Sequence, residues 1–381
     1  MNIGFEAKRA FYNGTGLGHY SRTLISSLAT YFSEHEYYLF TPKNTELFNT
    51  TTFHNIHTIT PISFPSNLLT SFWRSSWVKK DLKKLNIQLY HGLSHEIPLG
   101  MKTTNIPSVV TMHDLIFERY PEQYKPIDVK IYRKKFQHAC KYADKVIAIS
   151  KQTKQDLVQF YKVPEQKIDI CYQSCNPAFA QKVSEEEKQN IKKLYNLPDE
   201  YFLYVGSIVE RKNLLQICKG IHLLKDTLQI PLVVIGEGGD YKKIVKEYIN
   251  THQLQDKIIF LSEKYHHPTF KTAQDFPAIY QQAVCMIYPS FFEGFGIPVL
   301  EALWSNIPVI TSNASCMPET GGNAAYYVNP NSEKEMADAL YNVYTDISLR
   351  KSMVEKGIVH AQQFTQQKCA ATVMDVYKKL I

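Results

Sequence analysis

Short apolar runs alternate with longer segments of helical period along the chain, and this alternation predicts parallel sheets covered by helices. The runs in the first half predict strands at residues 2–6, 37–41, 88–92, 108–113 and 145–150. The second half starts a new set, with strands predicted at residues 201–206, 232–236, 257–262, 284–289, 308–312 and 325–328. Because the two sets show no repeat period, they predict an α/β fold of two doubly wound domains rather than one eight-stranded barrel.

The boundary between the two domains is predicted near residues 174–183, where Pro177 and small polar residues follow the last strand of the first set. A charged segment, 184–193, precedes the second set. We place the boundary at residue 178, so that the domains span 1–178 and 179–361. Residues 362–381 have the pattern of an amphipathic helix, which we expect to return to brace the first domain.

The composition excludes several classes of protein. Of 381 residues, 44% are hydrophobic and 21% charged, with 16 Gly and 18 Pro, which is globular rather than disordered, collagen-like or coiled-coil. The net charge of +7 is too small and too scattered to indicate a nucleic-acid partner, but it suits anionic small molecules or an acidic membrane face. No apolar stretch approaches the roughly 18 residues of a membrane-spanning helix, and Glu6, Lys8 and Arg9 stand where a signal peptide would be apolar. We therefore expect a cytoplasmic protein.

Neither cysteine nor histidine spacing indicates a metal site. The seven cysteines are odd in number, contain no CxxC pair and mostly lie in apolar runs, so buried thiols are favoured over disulfides or zinc. His91 and His95 stand four residues apart, but in a segment containing Gly and Ser, which disfavours a metal pair.

A glycine-rich segment, Gly14-Thr-Gly16-Leu-Gly18, lies between the first strand and a helix predicted to run to about Tyr31. Its amides would lie at a helix N-terminus, where an anion is favoured. The spacing departs from GxGxxG, so two interpretations stay open: a tight turn that needs glycine, or a loop beside a phosphate.

Two further segments follow predicted strands. His113 ends one strand, where an imidazole can hydrogen-bond a reacting substrate or serve as a structural residue. Gly206, Ser207, Arg211 and Lys212 follow another strand. The planar fork of Arg211 and the compact charge of Lys212 suit two adjacent phosphates, although such pairs also occur as ordinary surface charge.

The most informative segment is 288–302, in which Glu293 and Glu301 flank a predicted helix start with Pro298 in its first turn. Glu293, in the loop, can meet sugar hydroxyls, and Glu301, on the helix, can meet a ribose, while the amides between them face phosphate. The alternative is that the two acids only complement the helix dipole.

The segment Pro-Ser-Phe-Phe-Glu293-Gly-Phe-Gly-Ile-Pro-Val-Leu-Glu301-Ala, with Gly-Ser and Glu-Arg-Lys-Asn upstream, resembles the retaining glycosyltransferases of family 4, particularly their O-antigen mannosyltransferase-like members. The resemblance extends over nearly the whole chain and implies the GT-B fold, in which two Rossmann-like domains face each other across a cleft. It implies an acceptor-binding first domain, a nucleotide-sugar-binding second domain and no cofactor or metal.

The resemblance also implies roles for single residues. It assigns Gly206, Ser207, Arg211 and Lys212 to the donor diphosphate, Glu301 to the nucleotide ribose, His113 to the transferred sugar, Gly16 and Gly18 to phosphate or acceptor, and Glu293 with the amides of Gly294, Phe295, Gly296 and Ile297 to the donor sugar and phosphates. One position departs from the pattern: His19 stands where many relatives have Arg or Lys beside the glycine loop. This departure weakens the prediction of acceptor phosphate binding at that position.

The resulting interpretation is a retaining hexosyltransferase that moves mannose from GDP-mannose to a saccharide or lipid-linked saccharide acceptor. The alternatives are a UDP-sugar donor, a nucleotide-sugar epimerase and a non-catalytic scaffold of the same fold. Residues 72–85 combine aromatics with five basic residues at helical spacing. They predict either a helix packed on the sheet or a peripheral contact with an anionic membrane.

Overall fold

A computed structural model describes residues 1–62, 66–265 and 268–381, and the chain forms two compact units. Unit 1 comprises Met1–Cys175 and Phe364–Ile381, and unit 2 comprises Asn176–Gln363. The division falls three residues before the boundary placed at 178, and the C-terminal segment joins unit 1 from Phe364 rather than from residue 362.

The described part of unit 1 contains a seven-stranded parallel sheet in the order β3-β2-β1-β4-β5-β6-β7. Its strands are β1 Asn2–Glu6, β2 Glu36–Phe40, β3 Ile56–Ile59, β4 Leu89–Gly92, β5 Ser108–Met112, β6 Lys145–Ala148 and β7 Ile168–Ile170. The described part of unit 2 contains a six-stranded parallel sheet in the order β10-β9-β8-β11-β12-β13. Its strands are β8 Phe202–Val205, β9 Leu232–Ile235, β10 Ile258–Phe260, β11 Cys285–Tyr288, β12 Val309–Ser312 and β13 Tyr326–Val328.

Helices connect most successive strands of both sheets, although β2 and β3 are joined by residues 41–55 without a helix. In unit 1 they are α1 Lys8–Tyr12, α2 Gly16–Tyr31, α3 Thr70–Phe72, α4 Val78–Lys84, α5 Ile116–Arg119, α6 Pro126–Tyr142, α7 Lys151–Tyr161 and, at the C-terminus, α18 Gln366–Lys378. In unit 2 they are α8 Glu185–Tyr195, α9 Leu214–Leu223, α10 Asp240–Thr251, α11 Leu261–Lys264, α12 Pro268–Lys271, α13 Phe276–Gln281, α14 Ile297–Trp304, α15 Met317–Gly321, α16 Glu333–Thr345 and α17 Ile347–Ala361.

The predicted α/β class and parallel sheets are confirmed, and the differences have physical reasons. The pattern missed β3 and β7, which are the two edges of the sheet in unit 1 and carry polar residues on partly exposed backbone. The strand predicted at 257–262 is too long, because residues 261–264 form α11. The short helix α1 stands between the first strand and the glycine-rich segment, where no element was predicted.

The C-terminal helix α18 packs against α2 within unit 1. Tyr377 is fully buried, and its hydroxyl lies 2.6 Å from Nδ1 of His91. The Nε2 atom of His91 lies 2.8 Å from the Thr111 hydroxyl, which in turn contacts the hydroxyl of Tyr20 at 3.0 Å. A buried polar chain therefore joins α18 to the centre of the sheet, and each of its members has a hydrogen-bond partner.

The aromatic and basic segment 72–85 is not one continuous α-helix. α3 ends at Phe72, a π-turn spans Trp73–Trp77, and α4 follows. Trp73 and Leu82 are buried in the core, and the Trp73 indole donates to Asp81 Oδ2 at 2.6 Å, which confirms packing of this face. Phe72 remains 61% exposed. In the described ranges, no helix combines the length and apolarity needed to cross a bilayer.

Candidate active site

The candidate site of unit 2 lies where the order of its strands reverses. β8 and β11 are neighbours in the sheet, and the chain leaves them toward opposite edges. Open α/β sheets bind ligands outside the carboxyl ends of such strands. The segments that follow these two strands, 206–213 and 289–297, are the ones that carry the predicted residues.

Arg211 and Glu293 join these two segments. Nη1 of Arg211 lies 2.7 Å from Oε1 of Glu293, and each side chain is only 13% exposed. Arg211 also donates to the carbonyl of Phe292, and its own carbonyl accepts from the amide of Phe291 at 2.8 Å and lies 3.0 Å from the Ser290 hydroxyl oxygen. The two segments are thus held together by both side-chain and backbone hydrogen bonds.

Glu293 is ionised in this setting. Burial alone would raise the pKa of its carboxyl, but the charges of Lys212 and Arg211 hold the pKa below its usual value. Oε1 accepts hydrogen bonds from the hydroxyls of Tyr288 at 2.8 Å and Ser290 at 3.1 Å, in addition to the ion pair. The three donors converge on Oε1, and among the described residues Oε2 has no donor, so it can accept from a ligand hydroxyl.

Lys212 is the second cation of the site. Its ammonium lies 5.4 Å from the centroid of the Tyr288 ring, and it forms no ion pair with any described residue. Burial lowers the pKa of Lys212, and the charge of Glu293 opposes that shift. The pair Arg211 and Lys212 therefore exceeds the one ionised carboxylate by a positive charge.

The loop of unit 2 ends at the start of α14, with Pro298 in the first turn as predicted. Gly296 has φ 92°, and a Cβ there would lie 2.5 Å from the terminal methyl of Met317, so both conformation and space require glycine. In the described structure the amides of Gly294, Gly296 and Ile297 donate to no protein acceptor. These amides stand at a helix N-terminus and are suited to an anion.

Glu301 lies one turn into α14 and accepts a hydrogen bond from the Tyr280 hydroxyl at 3.0 Å. Burial raises the pKa of Glu301 to about 7, although this hydrogen bond and the charge of Lys212 oppose the rise. Glu301 and Glu293 thus differ in charge near neutral pH, because only Glu293 has a cation in direct contact.

Gly206 and Ser207 follow β8 directly. A Cβ on Gly206 would lie 3.1 Å from the Lys212 ammonium, and one on Gly236 would lie 1.9 Å from the Gly206 carbonyl oxygen. The absence of side chains at these two positions therefore lets the loops after β8 and β9 approach each other and leaves room for Lys212. Ser207 is exposed, and its carbonyl accepts from the Tyr204 hydroxyl at 3.1 Å.

His113 lies in unit 1, immediately after β5, and is buried. Its Nε2 lies 2.9 Å from the Leu93 carbonyl, which can only accept, so this nitrogen carries the proton. The His113 amide donates to Nε2 of His95 at 3.0 Å, and the His113 carbonyl accepts from Thr153 at 3.0 Å. Burial lowers the pKa of His113 to about 4, so at neutral pH Nδ1 is an acceptor.

Gly16 and Gly18 begin α2 in unit 1 and differ in their surroundings. A Cβ on Gly18 would lie 1.7 Å from the carbonyl oxygen of Asn13, so close packing of the loop requires this glycine. A Cβ on Gly16 would meet no atom within 4 Å. Packing therefore accounts for Gly18, whereas Gly16 borders open space.

Unit 2 brings together Gly206, Arg211, Lys212, Glu293, the 294–297 amides and Glu301, while Gly16, Gly18 and His113 belong to unit 1. Sequence reasoning missed the residues that orient these groups. Tyr288 and Ser290 lie in the motif itself, where their spacing around Glu293 was a usable signal. Tyr280 and Thr153 come from other elements, and no local pattern marks them. The rings of His91 and His95 are engaged by protein groups rather than grouped as metal ligands.

Comparison with known proteins covers both units. The family described as Glycosyltransferase Family 4 matches residues 14–179, and the family described as Glycosyl transferases group 1 matches residues 185–360. The chain is 24% identical over 309 residues to the O-antigen chain mannosyltransferase B of Escherichia coli, across 81% of this chain and 77% of the relative. It is 31% identical over 274 residues to the O-antigen chain mannosyltransferase RfbU of Salmonella typhimurium strain LT2, across 72% of this chain and 69% of the relative.

Solved structures agree on the fold. A glycosyltransferase from Rickettsia africae superimposes with a TM-score of 0.75 at 19% identity, across 100% of this chain and 98% of that one. The two parallel-sheet Rossmann-like units are those of the GT-B fold. The fold and the identity to RfbU together show that this chain belongs to the group 1 glycosyltransferases of family 4.

Proposed function

We propose that the protein is a retaining hexosyltransferase that moves mannose from GDP-mannose to a saccharide or lipid-linked saccharide acceptor in cell-surface polysaccharide synthesis. The observation that carries the proposal is the cluster of Arg211, Lys212 and Glu293 beside the unpaired amides of the α14 N-terminus. This cluster has the charge and hydrogen-bond donors that a nucleoside diphosphate requires. The choice of mannose rests on the names of the mannosyltransferase relatives.

In the proposed reaction, the bond between the sugar and the β-phosphate breaks, and negative charge builds on the departing diphosphate. Arg211, Lys212 and the amides of Gly294, Gly296 and Ile297 would stabilise that charge, and one such contact contributes about 3–4 kcal/mol to transition-state stabilisation. These groups supply positive potential without a metal ion, so we propose a metal-independent enzyme.

Glu293 is better suited to anchoring a hydroxyl than to acting as a nucleophile. Its Oε1 already accepts three hydrogen bonds, and the cations that lower its pKa also lower its nucleophilicity. We therefore favour attack by the acceptor on the face from which the diphosphate leaves, with the acceptor proton passing to that phosphate. His113, neutral and with Nδ1 as an acceptor, would receive a hydrogen bond from a hydroxyl of the transferred sugar.

The rival functions differ in what they need. A UDP-sugar transferase would use the same charged cluster with another base. An epimerase would convert the donor without an acceptor and needs acid/base groups around the sugar. A scaffold would bind no nucleotide, but the joint presence of Arg211, Lys212, Glu293 and Glu301 in one described site disfavours it.

Nucleotide binding is the first prediction. In the presence of EDTA, GDP and GDP-mannose should raise the melting temperature selectively among the common nucleoside diphosphates and their sugars, because binding to the folded state stabilises it by mass action. Arg211→Ala should weaken binding by a factor of about 10 to 100, since a charge-assisted contact to phosphate is worth about 1.5–3 kcal/mol. Lys351→Ala, an exposed basic residue of α17, is the matched control. An unchanged ligand-induced shift in the Arg211 variant would place the nucleotide elsewhere.

The raised pKa of Glu301 predicts that donor binding releases a proton. A carboxyl with a pKa of about 7 is half protonated at pH 7, and ribose hydroxyls bind its ionised form, so binding should release about half a proton. Affinity should therefore rise with pH from about 5 to 8 and then level off. Calorimetry with GDP-mannose in two buffers of different ionisation enthalpy measures the release. Glu301→Gln should abolish the proton release, whereas the control Glu186→Gln, on the exposed face of α8, should not change it. Equal heats in both buffers for the unaltered enzyme would exclude this role for Glu301.

The stereochemistry of transfer is a separate prediction. Same-face attack keeps the anomeric configuration of the donor, so an α-linked sugar nucleotide should yield an α-linked product. NMR of the product reads the configuration from the one-bond coupling between C1 and H1 of the transferred sugar, because the H1–H2 coupling of a mannoside is small in both anomers. An inverted anomer would rule out the mechanism while leaving donor binding untouched.

We also propose peripheral contact with an anionic membrane through one edge of unit 1. Leu68, Leu69, Phe72 and Leu99 are exposed there, and the Leu99 amide donates to the Ser75 carbonyl at 2.7 Å, which joins the two segments. Lys80, Lys83 and Lys84 on α4 are also exposed. Apolar side chains beside lysines are the combination that inserts into anionic lipid surfaces.

Vesicle sedimentation tests this contact. The protein should bind vesicles containing phosphatidylglycerol at low salt and much less to neutral phosphatidylcholine vesicles. Replacing Phe72 and Leu99 by Ser should reduce partitioning by about a hundredfold or more, given roughly 1.5–3 kcal/mol for burial of each large apolar side chain. The matched control replaces Ile244 and Val359, which are exposed on unit 2. Equal binding by the two double variants would contradict the contact.

A further inference from the structure

Unit 1 has its own position where the strand order reverses, between β1 and β4. Glu6, the last residue of β1, pairs in register with Gly92, the last residue of β4. The residues that follow these strands, 7–9 and 93–96, therefore emerge side by side at the carboxyl edge. This is where an open parallel sheet binds its ligand.

Two carboxylates at this edge are already neutralised by cations. Arg74 lies 3.0 Å from Oε1 of the buried Glu6 and 3.4 Å from Oε2 of Glu96. Lys135 lies 3.0 Å from the other oxygen of Glu96, and Ser94 donates to Glu6 at 3.2 Å. Arg74 is thus held in place by Glu6 at the end of β1 and by Glu96 in the segment that follows β4.

Lys8 and Arg9 add positive charge to the same edge. Neither side chain forms an ion pair with a described residue. Lys8 and Arg9 follow β1 almost directly, and the Lys8 amide lies 3.4 Å from Oε1 of Glu6, the carboxylate that Arg74 contacts. Burial lowers the pKa of Lys8, as do the charges of Arg74 and Arg9, while Glu6 and Glu96 oppose the shift. Arg9 also acts on the pKa of His95, which lies after β4. Four cations therefore share this edge with two carboxylates.

A buried hydroxyl lies beside the same charges. Tyr90, on β4, is fully buried, and its hydroxyl has no hydrogen-bond partner among the described residues. Tyr90 stands two residues before Gly92, the partner of Glu6, so the side chains of Tyr90 and Glu6 lie on the same face of the sheet. Burial raises the pKa of Tyr90 well above its usual value, and the charges of Glu6 and Glu96 add to the rise while Arg74 opposes it. An unpaired buried hydroxyl destabilises a fold by about 1–3 kcal/mol, so its retention here points to a partner absent from the protein itself.

We propose that Lys8, Arg9, Arg74 and the Tyr90 hydroxyl form a phosphate-binding subsite for the acceptor. The planar fork of Arg9 and the compact charge of Lys8 suit a phosphate monoester or a diphosphate. The subsite would give unit 1 a phosphate-binding position that does not depend on His19, which stands where many relatives have a basic residue beside the glycine loop. That the phosphate belongs to the acceptor rests on the proposed function.

Inorganic pyrophosphate and inorganic phosphate are the probes, titrated calorimetrically into an Arg211→Ala/Lys212→Ala background that weakens phosphate binding to unit 2. Pyrophosphate should bind to this background, and binding should weaken with added salt. Adding Lys8→Ala/Arg9→Ala should reduce the affinity at least tenfold. Adding Lys351→Ala/Lys356→Ala, which removes the same charge from the exposed face of α17, should leave it unchanged. Tighter binding of pyrophosphate than of phosphate assigns the subsite to a diphosphate-linked acceptor, and the reverse assigns it to a phosphate monoester.

Tyr90→Phe is the second variant, chosen because it keeps the ring and the packing. It should reduce pyrophosphate affinity about threefold while leaving the melting temperature equal or higher, since it removes an unpaired hydroxyl. A purely structural hydroxyl would change neither affinity nor ligand response. The proposal is overturned if pyrophosphate does not bind the background protein, or if neither variant changes the affinity. Nucleotide binding by the unaltered enzyme is measured separately, so the transferase proposal can hold while this one fails, and the reverse.

Discussion

The ion pair between Arg211 and Glu293 is the interaction on which the candidate site of unit 2 depends. It joins the loops that follow two neighbouring strands, and those loops carry Arg211, Lys212 and Glu293. Removing Arg211 would leave the largely buried carboxylate of Glu293 with only the charge of Lys212, which forms no ion pair with it, and loss of one partner of a buried ion pair typically costs about 3–5 kcal/mol. Pairing with Glu293 leaves Arg211 with further N–H donors, because a guanidinium has five donors in a fixed plane and can hold a carboxylate and a phosphate together.

The two glutamates of the motif show how position alone divides similar groups into different states. Glu293 lies against Arg211 and is ionised, so it offers a permanent acceptor. Glu301 is one turn further along α14, contacts the neutral hydroxyl of Tyr280, and has a pKa of about 7. Spacing in the sequence places both carboxylates near one helix start, but their charges follow from which side chains reach them from other elements.

The sequence predicts most of the fold because parallel strands in the interior of a sheet are apolar on both faces. The pattern fails at β3 and β7, because His57, Thr58 and Asp169 interrupt apolar runs of only four and three residues, whereas the edge strands β10 and β13 of unit 2 have no such interruption and were predicted. The residues of segment 288–302 were also predictable, because its glycines, proline and acids each serve the loop and helix start in which they stand. Contacts over long sequence separation were not. Tyr377 reaches His91 across 286 residues, and nothing near either residue indicates the other.

The two units arrange their charged side chains in the same way at the position where the strand order reverses. Each site contains a buried carboxylate that orients one arginine, Glu6 with Arg74 in unit 1 and Glu293 with Arg211 in unit 2. Each also contains a cation that is left without an acid among the described residues, Lys8 in the first case and Lys212 in the second. An oriented ion pair fixes the position of the arginine, because both members of the pair are held by several bonds. The lysine, which forms no ion pair, adds positive potential to the site, although Glu6 acts on Lys8 and Glu293 acts on Lys212 from a longer distance. A sheet edge that binds an anion in a defined pose requires both a fixed arginine and positive potential, and neither the ion pair nor the lysine alone supplies the two.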